Sequence, residues 1–433
     1  MIDALKIWHP FTQEALDPAP MKIARAQGAY LYTADGHRLI DAISSWWVNI
    51  HGHGHPAITE AIATQARQLD HVLLAGFTHD AVETLVTRLR KVVPRGLDHI
   101  FFSDDGSTAV EVALKIAVQY WQNVGQPKKK VIVALEHAYH GDTVGAMSVA
   151  AESAFSEPFR SMLFPVERVH AAYCYRCPVG KKRAACQIDC VEKLASLLER
   201  KGREIAAVIV EPLLQGAGGM MVHPVEFLQK VRQLCAQHKV LLIADEVLTG
   251  FGRCGKMFAC ELAGVTPDLM CLSKGLTAGM LPMGATLCTS EIHDAFRSQD
   301  RSRTFYHGHS YTGNPIAAAA GAASLKVFDD EPVFDRIDAI SRIHEQRLAA
   351  IRNHPAVGET RSIGTMAAVE LRADDGGYFS KLRPILYRFF MEKGVLLRPL
   401  GNVVYVLPPY VISPADLNFV HDVVAESLDR VVA

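Results

Sequence analysis

Two short apolar runs end in groups that could act on the same molecule. Residues 241–245 read Leu-Leu-Ile-Ala-Asp and lead into Glu246, while 269–274 read Leu-Met-Cys-Leu-Ser-Lys. A lysine amine can bond covalently to an aldehyde carbon, and a carboxylate can hold a protonated ring nitrogen, so Lys274 and Asp245 are the pair that a pyridoxal cofactor requires. Taken alone, the pair is equally well explained by an Asp-Glu helix cap and a solvated loop lysine. The surrounding residues have to decide.

Residues 101–111, Phe-Phe-Ser-Asp-Asp-Gly-Ser-Thr-Ala-Val-Glu, read as a strand, a tight turn and the start of a helix that runs to about Trp121. Free backbone N–H groups and the positive dipole end make such a start a phosphate site. Gly106 permits close approach, and the hydroxyls of Ser107 and Thr108 could add donors; an ordinary Ser/Thr cap is the competing explanation. Just beyond another apolar run, Glu136-His137-Ala138-Tyr139-His140-Gly141-Asp142 offers Tyr139 as a ring to stack on a flat heteroaromatic.

These residues need a frame. Apolar runs at 130–135, 206–210 and 240–244 alternate with longer amphipathic stretches, the pattern of parallel strands joined by helical crossovers. Each run ends in polar residues or glycine, at the strand end where open α/β sheets place ligands. The expected fold is therefore α/β, with a large, mostly parallel-sheet domain at about 50–325. A smaller α+β domain is expected from 1–49 and 326–433, with the two chain ends packed together. No repeat, low-complexity tract or flexible linker interrupts the 433 residues.

Composition narrows the partners. Hydrophobic residues make up 49%, charged residues 21%, and the net charge is -1, which disfavours nucleic acid and anionic membranes. Residues 1–6 lack the basic-then-apolar pattern of a secretory leader, and no run is long enough to span a bilayer. Five of nine cysteines (Cys235, Cys254, Cys260, Cys271 and Cys288) sit in apolar patterns that suit reduced, buried thiols, so a cytoplasmic location is expected.

Three further patterns are weaker. Cys174, Cys177, Cys186 and Cys190 have the look of a four-thiolate zinc knuckle, but the last spacing is loose; reduced thiols or a reversible disulfide is preferred and no metal is assigned. His51, His53 and His55 alternate, but the intervening glycines and Pro56 argue against a regular strand and a metal site. Gln215-Gly-Ala-Gly-Gly219 lacks the context of a dinucleotide loop and reads as a turn near the cofactor.

In this order the elements resemble the class III aminotransferases of the fold type I pyridoxal-phosphate enzymes. Trp8-His9-Pro10-Phe11-Thr12, Ser44-Ser45-Trp46-Trp47, His140-Gly141-Asp142-Thr143, Glu211-Pro212 and Arg398-Pro399 extend the likeness to the biotin-synthesis branch of that class. The resemblance implies that Lys274 carries pyridoxal 5'-phosphate, Asp245 contacts its ring nitrogen, Gly106 and Ser107 bind its phosphate, and Tyr139 and Trp46 border the substrate. It also implies that Arg398 holds the carboxylate of a long keto acid, a planar fork meeting a planar anion. A homodimer is implied too, in which a loop bearing His309 and Ser310 reaches a phosphate across the interface, with Gly308 beside the substrate. S-adenosylmethionine is the amino donor that the resemblance suggests first. Phe11 stands where that branch has tyrosine, and Phe11 with 309–314 (His-Ser-Tyr-Thr-Gly-Asn) looks more like the lysine-using branch, so the donor stays open. Other class III ω-aminotransferases would share the cofactor residues without needing the Trp8 and Trp46 motifs.

Overall fold

Runs of Val, Ile and Leu long enough to be buried on both faces form the centre of the molecule. In the computed structural model, which describes residues 7–373 and 377–432, they assemble into a seven-stranded sheet. Its order is His99–Ser103, Gly284–Cys288, Leu269–Leu272, Leu241–Asp245, Ile205–Val210, Val131–Leu135 and Glu167–Val169. Six strands run parallel, and Gly284–Cys288 is reversed against both neighbours. The expected strands are found within a residue or so of their expected bounds. The first six residues, on which the expectation about a leader rested, lie outside the described residues.

The two-residue side-chain period of a strand divides this sheet between two cores. Ile132, Ala134, Ile209, Ile243 and Cys271 face one, with Val110, Ala113, Ala117 and Trp121 of the helix Gly106–Asn123. Val133, Leu135, Val208, Val210, Leu242, Ala244 and Leu272 face the other. With both faces covered, Ile205–Val210 is buried at every position, which is why its sequence does not alternate.

Two smaller sheets are built from distant parts of the chain. Ile23–Gln27, Tyr30–Thr33 and Arg38–Asp41 form an antiparallel meander, and Val395–Leu396 adds to it in parallel, so an early and a late segment do pair. Val357–Ile363, Met366–Leu371 and Val403–Val406 make a three-stranded antiparallel sheet. The helix Pro315–Asp330 begins with the Asn314 side chain accepting from Ile316 N and Ala317 N, and its alanine-rich face packs on the helices Pro56–Gln68 and Asp80–Val92. No helix among the described residues is long and apolar enough to cross a membrane.

Candidate active site

Five strand ends deliver polar side chains to one edge of the large sheet. Asp245 closes its strand, Lys274 follows Leu269–Leu272, the Asp105-Gly106 turn follows His99–Ser103, Tyr139 follows Val131–Leu135, and Glu211 follows Ile205–Val210. They open onto a cavity of about 790 Å3. Of the residues singled out from sequence, Phe11, Trp46, Gly106, Ser107, Tyr139, Asp245, Lys274 and Arg398 all line it. Gly308, His309 and Ser310 do not. His309 Nδ1 instead stands 3.0 Å from Asp104 Oδ2, and the flanking Tyr306 and Tyr311 are 73% and 65% exposed.

Lys274 is half-buried at the cavity wall and held in left-handed backbone, φ +41. Non-glycine residues take that conformation only where their surroundings impose it. Burial lowers its amine to about 8, against the opposing pull of Asp245 and then Glu211. Nζ lies 4.9 Å from the centre of the Trp47 ring, whose Nε1 donates to Tyr405 Oη at 2.9 Å. Asp245 is equally fixed: Oδ2 pairs with His140 Nδ1 at 2.7 Å, and Oδ1 accepts from Val247 N at 3.0 Å. In the sequence Trp47, His140 and Glu211 stand only as parts of motifs, with no individual signal of a role. Their part in the site depends on burial and neighbours, which no spacing reveals.

The helix beginning at Gly106 points its N-terminus at the cavity, but its hydroxyls divide differently from expectation. Asp105 is the cap, accepting from Thr108 N at 2.8 Å, while Thr108 Oγ1 accepts from Asp105 N at 2.9 Å. Thr108 is thereby committed to a capping box and does not line the cavity. Ser107 does. A Cβ at Gly106 would lie 2.7 Å from Val247 Cγ1, so this turn has to be bare for helix and strand end to meet. Gly141 (φ +127) is packed as tightly, since a Cβ there would come 2.1 Å from Ser107 Oγ.

Glu211 joins two lining segments. Its carboxylate accepts from Tyr139 N at 2.9 Å and Gly216 N at 3.0 Å, yet complete burial raises its pKa to about 7. Gly216 begins the hairpin turn between the short paired strands Leu214–Gln215 and Met221–Val222, and Ala217 and Gly218 of that turn line the cavity.

The mouth is aromatic. Phe11 and Trp46 have ring centres 5.6 Å apart, Phe155 lies 6.0 Å from Phe11 and 4.5 Å from Tyr378, and the Arg398 guanidinium sits 5.0 Å over Trp46. Adjacent Trp46 and Trp47 go opposite ways, one 46% exposed and the other buried. Left-handed backbone at Ser44, Ser45 and Trp47 makes this possible. Asp41 holds the kink, accepting from Ser45 N at 2.8 Å and pairing with His53 Nε2 at 2.8 Å. His51 and His55 have other partners, the Ser324 carbonyl and Glu331, so the three alternating imidazoles do not converge.

A lysine, a clamped carboxylate, a bare helix N-terminus and a stackable ring on one cavity wall fit a pyridine ring carrying an aldehyde and a phosphate. His140 Nε2 is a buried polar atom without a hydrogen-bond partner at the same wall, so this wall is not self-satisfied.

Comparison with known proteins gives the same direction. The family model for Aminotransferase class-III matches residues 11–428. A protein of Synechococcus elongatus named adenosylmethionine-8-amino-7-oxononanoate aminotransferase is 46% identical over 98% of this chain and 99% of its own length. A Geobacter sulfurreducens protein of the same name is 42% identical over 99% and 97%. Among solved structures, the enzyme of that name from Methanocaldococcus jannaschii superposes with a TM-score of 0.92 at 34% identity, covering 98% of this chain and 97% of that one. An amine transaminase from an uncultivated Pseudomonas species, solved in a PLP-bound form, gives 0.92 at 32% identity, covering 98% and 99%.

Proposed function

The chain belongs to the class-III aminotransferases, and from that premise we propose that it is the biotin-synthesis transaminase of the class. It aminates 8-amino-7-oxononanoate to 7,8-diaminononanoate with S-adenosylmethionine as donor and pyridoxal 5'-phosphate as cofactor. The observation that carries this reading is the union in one cavity of Lys274 and Asp245 at the sheet edge with Trp46, Phe11 and Arg398 at the mouth. The names and full-length identity of the relatives support it.

When bound, the cofactor supplies an aldehyde to take up an amine and a ring that draws electrons from the neighbouring carbon. Asp245 favours a proton on the ring nitrogen, and His140 and Val247 N keep its two oxygens in place for that. Gly106 and Ser107 receive phosphate at the helix start. Tyr139 stacks, with its backbone N–H held by Glu211. Lys274 is the covalent anchor and, when released, the base whose Nζ takes a proton from the donor carbon; an amine near 8 exchanges protons readily around neutral pH. Arg398 pairs with the distal carboxylate of the keto acid, and Trp46 and Phe11 cover its alkyl chain or the donor's flat base.

A homodimer belongs to the same proposal. The 308–310 segment does not reach this chain's own cavity and the flanking Tyr306 and Tyr311 are exposed, which supports that reading. A division at about 50 and 325 into a large domain around the seven-stranded sheet and a smaller one around the four-stranded and three-stranded sheets also belongs to the proposal.

The test separates donor from family. The yellow enzyme is mixed with S-adenosylmethionine or, separately, lysine, with no keto acceptor, and the loss of the cofactor's absorbance is followed. Loss with S-adenosylmethionine alone is expected. Loss with lysine alone transfers the chain to the lysine-using branch, and loss with neither overturns the proposed reaction.

A further inference from the structure

Four thiols lie outside the cavity and take no part in the proposed reaction. Cys174 and Cys177 are separated by two residues, Cys186 and Cys190 by three. The chain through them makes only two single-turn helices, Arg183–Ala185 and Asp189–Val191, and all four cysteines are free of disulfides. Yet all four side chains line one void of about 10 Å3, roughly the room one water or ion needs.

Local backbone geometry is arranged around sulfur. Ile188 adopts left-handed backbone, φ +62, and its N–H donates to Cys186 Sγ at 3.2 Å. Gly180 (φ +69) closes a tight turn by donating to the Cys177 carbonyl at 3.0 Å. Lys181 and Arg183 line the same void, each already paired with a carboxylate, Asp189 and Glu226.

We infer that Cys174, Cys177, Cys186 and Cys190 form a structural site for one tetrahedral divalent ion of the zinc type. Paired thiolates at these short spacings suit such an ion, each ligand giving up its proton to solvent as it binds. Among the described residues no three His, Cys, Asp or Glu side chains already surround a common point, so the ion has to draw the sulfurs inward. A change of one χ1 rotamer moves a cysteine sulfur by roughly 3 Å, and this loop has no strand ladder to break.

The site would brace the cavity from outside. Tyr173 Oη donates to Glu370 Oε2 at 2.7 Å, Arg176 pairs with the same carboxylate, and Glu370 pairs with Arg361. Arg361 Nε in turn donates to the Met220 carbonyl at 2.7 Å, at the end of the hairpin turn whose Ala217 and Gly218 line the cavity.

Reduced full-length protein, stripped with chelator, is titrated with Co2+. Expected are the intense visible bands and the near-ultraviolet sulfur-to-metal charge transfer of tetrahedral cobalt thiolate, saturating at one equivalent per chain and bleached by Zn2+. Both features should disappear in Cys186→Ser/Cys190→Ser, with far-ultraviolet circular dichroism showing that this variant is folded. Absence of the bands in the folded, reduced wild type overturns the inference. So does their persistence in the double variant, or mass spectrometric detection of disulfides among these cysteines in protein purified without oxidant. None of these readouts depends on the proposed reaction.

Discussion

Covalent uptake of cofactor at different pH isolates what burial does to Lys274. Only a neutral amine has the lone pair that attacks an aldehyde carbon. An exposed lysine titrates near 10.4, whereas burial brings Lys274 to about 8. At pH 7.5 the neutral fraction is then about a quarter rather than roughly one in a thousand, a gain on the order of 200-fold. Cofactor-free protein is mixed with excess pyridoxal phosphate from about pH 6 to about pH 10, and the borohydride-fixable yellow product is followed by stopped flow. Dividing each rate by that of blocked free lysine under the same conditions removes the cofactor's own titration. Raw rates should rise about tenfold per unit and level off near pH 8, because lowering pH below the folded value protonates Nζ. The normalised ratio should fall as pH climbs from about 8 towards 10. A ratio flat across the whole range means that Nζ is as basic as a solvated lysine, and the argument from burial fails.

Gly141→Ala forces a Cβ into left-handed backbone and to 2.1 Å from Ser107 Oγ. It should cost about 2 kcal/mol or more in urea unfolding and weaken cofactor affinity, while an unchanged midpoint counts against the packing described. Arg398→Lys exchanges a planar fork for a point charge; KM for the keto acid should rise about tenfold with cofactor affinity unchanged, and an unaltered KM removes Arg398 from the carboxylate site. His344 and His421 form a buried pair, Nδ1 to Nε2 2.8 Å, and burial lowers both, His344 to about 4, with Arg347 adding to the effect at His421. Below about pH 6.5 the unfolded chain takes up protons that the folded pair refuses, so stability should fall by a few kcal/mol as pH drops towards 4. His344→Gln/His421→Gln should flatten that slope in urea melts, and an unchanged slope places the acid sensitivity elsewhere.

Much of the fold was legible because its signals are local. Val131–Leu135, Ile205–Val210 and Leu241–Asp245 are uninterrupted apolar runs that stop at a polar residue, and a strand buried on both faces can hardly look otherwise. The reversal of Gly284–Cys288 was not legible, since a pattern of side chains carries no direction. Thr108 was expected beside phosphate because its hydroxyl could serve cap or ligand equally well; only the position of Asp105 decided for the cap. Trp46 and Trp47 are identical neighbours, and their opposite fates depend on three left-handed residues secured by Asp41 and His53.

The chain by itself determined which chemistry is available: a lysine and an aspartate at strand ends, a bare glycine at a helix start, an arginine before a proline, and four cysteines in two close pairs. Tertiary structure decided what those groups experience. Burial brings Lys274 to about 8 and Glu211 to about 7, His140 orients Asp245, and one small void gathers thiols 16 residues apart. Residue identity sets a group's intrinsic basicity and reach. Desolvation and neighbouring charge are properties of the assembled interior, contributed by segments that are distant in sequence.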